Sequence, residues 1–208
     1  MFPDLARDDV FRLETARLWL RWPRASDAPA IHRFCSLWEV ARFTARMPHP
    51  YPPGSAERFI YAAREANASG RDLTLVMTPS KGKRDVIGSI SLESRGADRL
   101  TLGFALRPEA WGQGLATEAA RAMVKAGFGL TPAVETLANV RIENVASCRV
   151  LEKCGFAILS SGLLGAPARG GLVECHTFRL TRQAWADAGV ARRQTLAHQA
   201  RSQTDGRL

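Results

Sequence analysis

The chain has 208 residues, 46% of them hydrophobic, enough to bury a full core in one globular domain without disulfides or metal. A count of 29 Lys and Arg against 20 Asp and Glu gives a formal net charge of +9. That balance favours anionic partners such as coenzymes, acidic peptides or RNA, and argues against polycationic substrates. No apolar run of about 18 residues offers a membrane span. The polar N-terminus, MFPDLARDDVFRLE, argues against a secretory signal, so a cytoplasmic, membrane-free protein is expected. Cys35, Cys148, Cys154 and Cys175 form no Cys-x-x-Cys pair and lack nearby histidines. They read as reduced, buried thiols, with no metal site implied. The basic excess is spread along the chain, which leaves nucleic-acid or ribosome contact open without signalling it.

In chain order, TARLWLRW (15–22) alternates and ends at Pro23, predicting a first strand. Ser26 and Asp27 offer N-caps to a helix running to about Trp38. MPHPYPP (47–53) reads as a loop. Gly54 and Ser55 open a second helix over AERFIYAAREANA, closed by Gly70. Three candidate strands follow, DLTLVMT, DVIGSISLE and RLTLGFAL. Their linkers, PSKGKR and SRGAD, are short and turn-rich and suit antiparallel hairpins. A helix is expected from about Gly114 to Gly129, with Ala116, Ala119, Ala120, Met123 and Val124 at apolar positions. AVETLANV is a further strand, and Asn144 to Cys154 a helix with Gly155 as its C-cap. Phe156 opens a sixth strand and GLVECHTFRL (171–180) is a seventh. SSGLLGAPARGG, between them, reads as a flexible loop that shapes a pocket or an interface. From Thr181 the chain is rich in Ala, Gln and Arg, as in a surface helix fraying into RSQTDGRL. The expected division is one domain over 12–182 and a basic helix or tail over 183–208. The order βααβββαβαββ predicts an α/β (α+β) fold: a mixed, mostly antiparallel sheet of about seven strands with helices on both faces.

Between the fourth strand and its helix runs ALRPEAWGQGLATEA, where Gly112, Gly114 and Ala116 alternate. A corner almost without side chains leaves N–H groups bare at the positive end of a helix, which suits an anion. The dinucleotide fingerprint Gly-x-Gly-x-x-Gly is absent, since position 117 is threonine, and so is the Gly-Lys-Ser/Thr phosphate loop. Taken alone, the segment also reads as a tight turn. A second segment, NVASCRVLEKCGF (144–156), opens on another helix start.

Together, FALRPEAWGQGLATEA and NVASCRVLEKCGF resemble the GNAT family of acyl-CoA N-acyltransferases, in the right order and on the expected elements. Trp111 at the head of the loop, the following GQGLATEA and the early MPHPYPPGSAERFI are similar to the branch of ribosomal-protein N-terminal acetyltransferases. The resemblance covers about residues 12–182. It implies a splayed sheet with acetyl-CoA in the gap between two parallel strands. The loop of Gly112, Gln113, Gly114, Leu115, Ala116 and Thr117 is then expected to wrap the coenzyme pyrophosphate. Phe104, Ala105 and Leu106 would offer strand backbone to the pantetheine amides. Asn144 would bind the pantetheine arm, cap its helix, or do both. Arg121 and Arg149 are candidates for the outer phosphate or for plain solvation. Homodimers, common in this branch, are implied by the resemblance alone.

The implied reaction is direct attack of an amine on the acetyl thioester, which needs a neutral amine, oxyanion donors and a proton for the leaving thiolate. Strand N–H groups at Phe104 to Leu106 are candidates for the oxyanion contact. The tyrosine acid of many relatives falls here on Leu151, and the glutamate base of some falls on Asn139, so neither carries over. Ser147, one turn after Asn144, is the replacement for protonating the thiolate, with helix packing as its other reading. Glu93 is a candidate base or a solvated strand end. His49 reads as a substrate contact or a loop residue, and Cys148 invites an acyl-cysteine route without a base beside it. A peptide α-amine, with a pKa near 7.7–8.0, needs a base less than a lysine amine near 10.4. The expected activity is acetyl transfer to a protein or peptide N-terminus. A small-molecule amine acceptor and a non-catalytic CoA sensor are the alternatives.

Overall fold

The computed structural model describes residues 1–191. Eight strands form one sheet: β1 (Arg12–Glu14), β2 (Leu18–Arg21), β3 (Leu73–Pro79), β4 (Gly88–Ser94), β5 (Arg99–Leu106), β6 (Glu135–Arg141), β7 (Ala157–Ala166) and β8 (Gly171–Thr181). Their spatial order is β1-β2-β3-β4-β5-β6-β8-β7. Every neighbouring pair is antiparallel except β5 and β6, which run parallel. The helices are α1 (Ala28–Cys35), α2 (Trp38–Ala41), α3 (Ser55–Ala68), α4 (Leu115–Leu130) and α5 (Val145–Lys153). This is the expected mixed sheet, with one strand more than the sequence patterning shows. Thr15 to Arg17 belong to no strand. They form the turn between β1 and β2, where the Thr15 N–H donates to the Leu18 carbonyl and the Leu18 N–H donates to the Thr15 hydroxyl oxygen.

Both faces of the sheet are covered, which is why β3 is buried almost throughout. Leu73, Leu75, Met77, Ile90, Leu92, Leu100 and Leu102 pack with Ala119, Ala120, Met123, Val124 and Phe128 of α4. On the opposite face, Val76 packs with Ile31 and Phe34 of α1 and Ala56 and Ile60 of α3. Close approach of α4 depends on Gly127, where a Cβ would lie 2.8 Å from Leu92 Cδ1 and 3.0 Å from Leu100 Cδ1. The far end of α4 is tied down by Arg182, whose guanidinium donates to the carbonyls of Phe128, Thr131 and Ala133. The Phe128 and Thr131 carbonyls belong to the end of α4, where a helix leaves them without partners, and the Ala133 carbonyl lies in the connection to β6. Residues 182–191 continue as a helix, and the Trp185 ring meets Phe128 at 5.4 Å between centroids. The expected fraying over 201–208, and any contact made by that end, lies outside the described residues.

Three local expectations change. Asp27 is no side-chain cap for α1: its buried carboxylate accepts from both terminal nitrogens of Arg21, at 2.8 Å each, and from the Arg24 N–H. The helix expected to reach Trp38 stops at Cys35, and the chain restarts as α2 after an extended Leu37. SSGLLGAPARGG is a β-hairpin rather than a loop: β7 and β8 pair from Ser160↔Thr177 to Ala166↔Gly171 around a turn at Pro167–Arg169. Glycines and a proline weaken local strand propensity there, but a partner strand supplies the ladder bonds.

β5 and β6 pair only over Arg99–Thr101 and Glu135–Leu137 and then separate. Each stays bonded along its other edge, β5 to β4 up to Leu106 and β6 to β8 up to Arg141. Opening the gap therefore costs only the ladder bonds these two strands would have shared. α4 begins at the mouth of this opening.

Candidate functional site

Along an antiparallel strand, successive residues turn their N–H and C=O groups to alternate sides. Arg99 accepts from the Arg95 N–H and the Arg107 N–H donates to Ile87, so odd-numbered residues of β5 bond toward β4. The backbone groups of Phe104 and Leu106 consequently face the gap. Ala105 differs from expectation: its backbone is taken up by the ladder opposite Ser89, and it reaches the cleft as a wall residue. The Leu106 carbonyl is already used, accepting from the Trp111 indole N–H at 2.8 Å. That bond anchors the start of the glycine corner to the strand end.

The gap widens into a cleft of about 340 Å³. Phe104, Ala105, Leu106, Gly112, Gly114, Leu115, Ala116 and Thr117 line it from one side, Asn144 and Ser147 from the other. Gly112 (φ +72°) and Gly114 (φ +75°) both adopt the left-handed conformation that favours glycine, and no side chain caps the first turn of α4. A Cβ on Gly112 would meet nothing within 4 Å, so its absence keeps space open without serving internal packing. Bends of this kind gather N–H groups around an anion-sized concavity, and the dipole of a 16-residue helix adds to it. Gln113 does not line the cleft. Its side chain donates to the Glu109 carbonyl at 2.7 Å.

The corner is held from behind by a latch that sequence reading missed. Arg17, in the β1–β2 turn, donates from Nη1 to the Gln113 carbonyl at 2.8 Å and from Nε to Glu118 Oε2 at 2.7 Å. The Arg17 N–H and the Thr15 hydroxyl both donate to Glu118 Oε1, at 2.8 and 2.6 Å. Burial pushes the Glu118 carboxyl up, but these bonds and the Arg17 charge outweigh it and hold the group below the ordinary carboxylate range. The partners lie about a hundred residues apart in sequence, with only the "TEA" after the corner as a trace.

On the facing wall, Asn144 caps α5: its side chain accepts from the Ser147 N–H at 3.1 Å. The cap leaves the Asn144 amide NH₂ as a donor at the cleft. Ser147 is half-buried one turn on, and Arg149 also lines the cleft. Burial and then the Glu152 charge push the Cys148 thiol up, away from the thiolate that an acyl-cysteine route needs. Glu93 stands apart from the cleft wall, bonded to Arg46 and Arg95. Unforeseen contributors come from α2 and the turn after it, where Glu39, Val40, Phe43 and Thr44 close the cleft beside Phe104. Composition there carries no motif, so only packing identifies them. His49 stacks obliquely on Trp38 at 5.1 Å. Behind the glycine corner a second, shallower groove is bordered by Arg17, Arg121, Lys125 and Lys153. Arg121 spends one nitrogen on the Lys153 carbonyl at 2.7 Å.

Among the described residues no group of His, Cys, Asp and Glu is placed to hold a metal ion, and no helix is long and apolar enough to cross a membrane. No curated protein matches the chain significantly. Solved structures of similar fold include the ribosomal-protein-S5-alanine acetyltransferase from Vibrio fischeri, with 18% identity, a TM-score of 0.72, and coverage of 84% of this chain and 98% of that one. RimJ from Mycobacterium smegmatis, solved with a CoA-disulfide, has 21% identity and a TM-score of 0.70, covering 84% and 88%. Spermidine N-acetyltransferase from Vibrio cholerae, solved with CoA and spermine, has 16% identity and a TM-score of 0.69, covering 83% and 99%. The sequence itself matches the family model described as "Acetyltransferase (GNAT) domain" over residues 17–157. That stretch runs from the Arg17 latch through the splayed strands and the glycine corner to the end of α5, and on it the chain belongs to the GNAT family of acetyltransferases, enzymes that depend on acetyl-CoA.

Proposed function

We propose that the chain transfers the acetyl group of acetyl-CoA to a primary amine, the α-amine of a protein or peptide N-terminus, by direct attack in a ternary complex. The observation that carries this reading is the separation of β5 from β6 beside the uncapped N-terminus of α4. An amide-bearing arm between the strands finds the outward backbone groups of Phe104 and Leu106, with Ala105 as wall. The N–H groups from Gly112 to Thr117 receive a pyrophosphate, with Gln113 bracing the loop, and the Asn144 amide NH₂ reaches the arm from α5. Gly112 supports the fit, because open space stands where a Cβ would be.

When bound, acetyl-CoA supplies the thioester carbon that the amine attacks. The β5 N–H groups facing the gap stabilise the oxygen on which charge develops. As the C–N bond forms and the C–S bond breaks, the Ser147 hydroxyl donates a proton to the departing sulfur and regains one from the nitrogen that has attacked, so the proton lost by the amine ends on the thiol. Glu93 is off the cleft wall and its carboxylate is occupied by Arg46 and Arg95, so it is assigned no part in taking the amine proton. An α-amine needs little help: with a pKa near 7.7–8.0, roughly a tenth is neutral at pH 7, while a lysine amine near 10.4 is several hundredfold rarer in that form.

The test is free-thiol release from acetyl-CoA across peptides with small N-terminal residues, lysine peptides, polyamines and aminoglycosides. Turnover on the N-terminal peptides supports the reading. Turnover confined to another class moves the acceptor to it, and coenzyme binding with silence throughout points to a sensor.

A further inference from the structure

The face of the splayed sheet away from α4 and α5 carries an unusual charge arrangement. Ala138 and Val140 of β6 point into the α4-side core, so by strand alternation Arg141, the last residue of β6, points to the other face at the open end of the gap. Three separate segments converge there. The Arg141 guanidinium donates to the Arg42 carbonyl, just past α2, at 2.7 Å. In the β7–β8 turn, the Ala168 N–H donates to Ala45, and Arg169 donates to the Met47 carbonyl. The Arg169 guanidinium also stands over the Trp38 ring, 5.4 Å from its centroid. Phe43 and Thr44, between these contacts, line the cleft next to Phe104 and Ala105.

The positive charge in this corner is poorly compensated. Among the described residues no carboxylate pairs with Arg169 or Arg42, and Arg169 Nε is buried with no hydrogen-bond partner. Arg141 has one ionic partner, Glu143 at 2.8 Å, whose side chain is 64% exposed and so contributes little. Burial, and then the charge of Arg141, pull Arg169 below the ordinary arginine value, which places the two guanidinium groups within each other's field. Two partly buried like charges in one corner repel each other, and an oxyanion between them relieves that repulsion. The bonds to Arg42, Glu143 and Met47 fix both guanidinium groups in place, and their remaining N–H groups and summed charge suit a carboxylate or phosphate beside the half-exposed Trp38 face. Glu39, a carboxylate on the cleft wall, adjoins Trp38 in the chain and suits an ammonium rather than an anion.

We infer that the acceptor carries an oxyanion, a carboxylate or a phosphate, on the same molecule as its amine, and that Arg141 and Arg169, beside Trp38, bind it. This rests on the proposed acetyl transfer at the β5–β6 gap, and it names the acceptor's chemistry. It also separates this chain from a polyamine-type acceptor, whose charge these arginines would repel.

The experiment uses the full chain loaded with CoA, so that binding is read without turnover. Two matched pairs are titrated by calorimetry: the amidated peptide Ser-Asp-Asp-Ala against Ser-Asn-Asn-Ala, and phosphoethanolamine against ethanolamine. The anionic member of at least one pair is expected to bind about tenfold tighter, the weight of one charge-assisted hydrogen bond. Preference in the peptide pair alone identifies an acidic N-terminal segment, and preference in the phosphate pair alone a small phosphorylated amine. Arg169→Gln and Arg141→Gln should each bring the ratio close to one with CoA affinity unchanged, while Arg169→Lys keeps most of it. The lysine variant guards against loss of the turn, since it retains charge without the guanidinium. Equal affinities within both pairs, no binding of any probe, or a preference that survives both glutamine variants overturns the inference. Failure of CoA itself to bind would instead overturn the coenzyme reading beneath it.

Discussion

Replacing Glu118 with Gln tests the latch behind the glycine corner. In the native protein Glu118 accepts from the Thr15 hydroxyl, the Arg17 N–H and Arg17 Nε. The substituted amide keeps one oxygen for the first two donors, but its NH₂ group replaces the oxygen that faced Arg17 Nε. Hydrogen bonds to a charged group contribute roughly 1.5–3 kcal/mol and neutral ones 0.5–1.5, so turning two charged bonds into neutral ones costs about 2 kcal/mol. The Arg17 side chain is 52% exposed, which holds the ion pair to at most about 1 kcal/mol more. A total near 3 kcal/mol lowers the melting temperature by about 6–12 °C in a domain of this size. Because the native carboxyl lies below its unfolded value, this stabilisation is fully present above the unfolded pKa, about 4.3, and is lost as pH falls through the folded one. Denaturant unfolding of both proteins, at pH 7 and stepwise down to pH 4, should show a constant difference that shrinks at the acid end. Calorimetry should show weaker CoA binding, since the Arg17 that positions the Gln113 carbonyl has lost its own anchor. Identical midpoints and CoA affinities at pH 7 would refute the latch.

Gly114→Val forces a β-branched residue into a left-handed conformation that costs roughly 1–2 kcal/mol even for simpler side chains. Its Cβ would meet only Arg17 Nη2 at 3.6 Å, so the fold should survive while acetyl-CoA binding is lost. Unchanged binding by calorimetry would exclude the corner from phosphate contact. Ser147→Ala leaves the Asn144 cap in place, because the cap uses the Ser147 backbone N–H. Turnover should fall by roughly 100-fold with coenzyme affinity nearly the same, and full activity would remove the hydroxyl from the proton path.

Much of the architecture was legible because its signals are local. The alternation of RLTLGFAL, the small-residue corner and the Asn144 to Gly155 helix each obey rules that span a few residues. The hairpin made from SSGLLGAPARGG was missed because its glycines and proline argue against a strand until β8 is beside it. Thr15 to Arg17 differ from the sequence expectation for the complementary reason. They alternate like a strand, yet they form the turn that delivers Arg17 to Gln113 and Glu118.

Residue type along the chain is enough to place the uncapped helix start, the glycines that keep its approach clear and the asparagine that starts the facing helix. Backbone conformation and capping are settled within one turn of chain, so residue type suffices. Tertiary structure alone decided that β5 and β6 part after Thr101, that Ala105 turns its backbone away from the gap, and that Glu93 is occupied by arginines. It also gathered Trp38, Arg141 and Arg169 into one corner. Each of those outcomes depends on strand register or on segments up to about 130 residues apart. Register and long-range packing are set by the whole sheet closing on its helices, which no short window of residues contains.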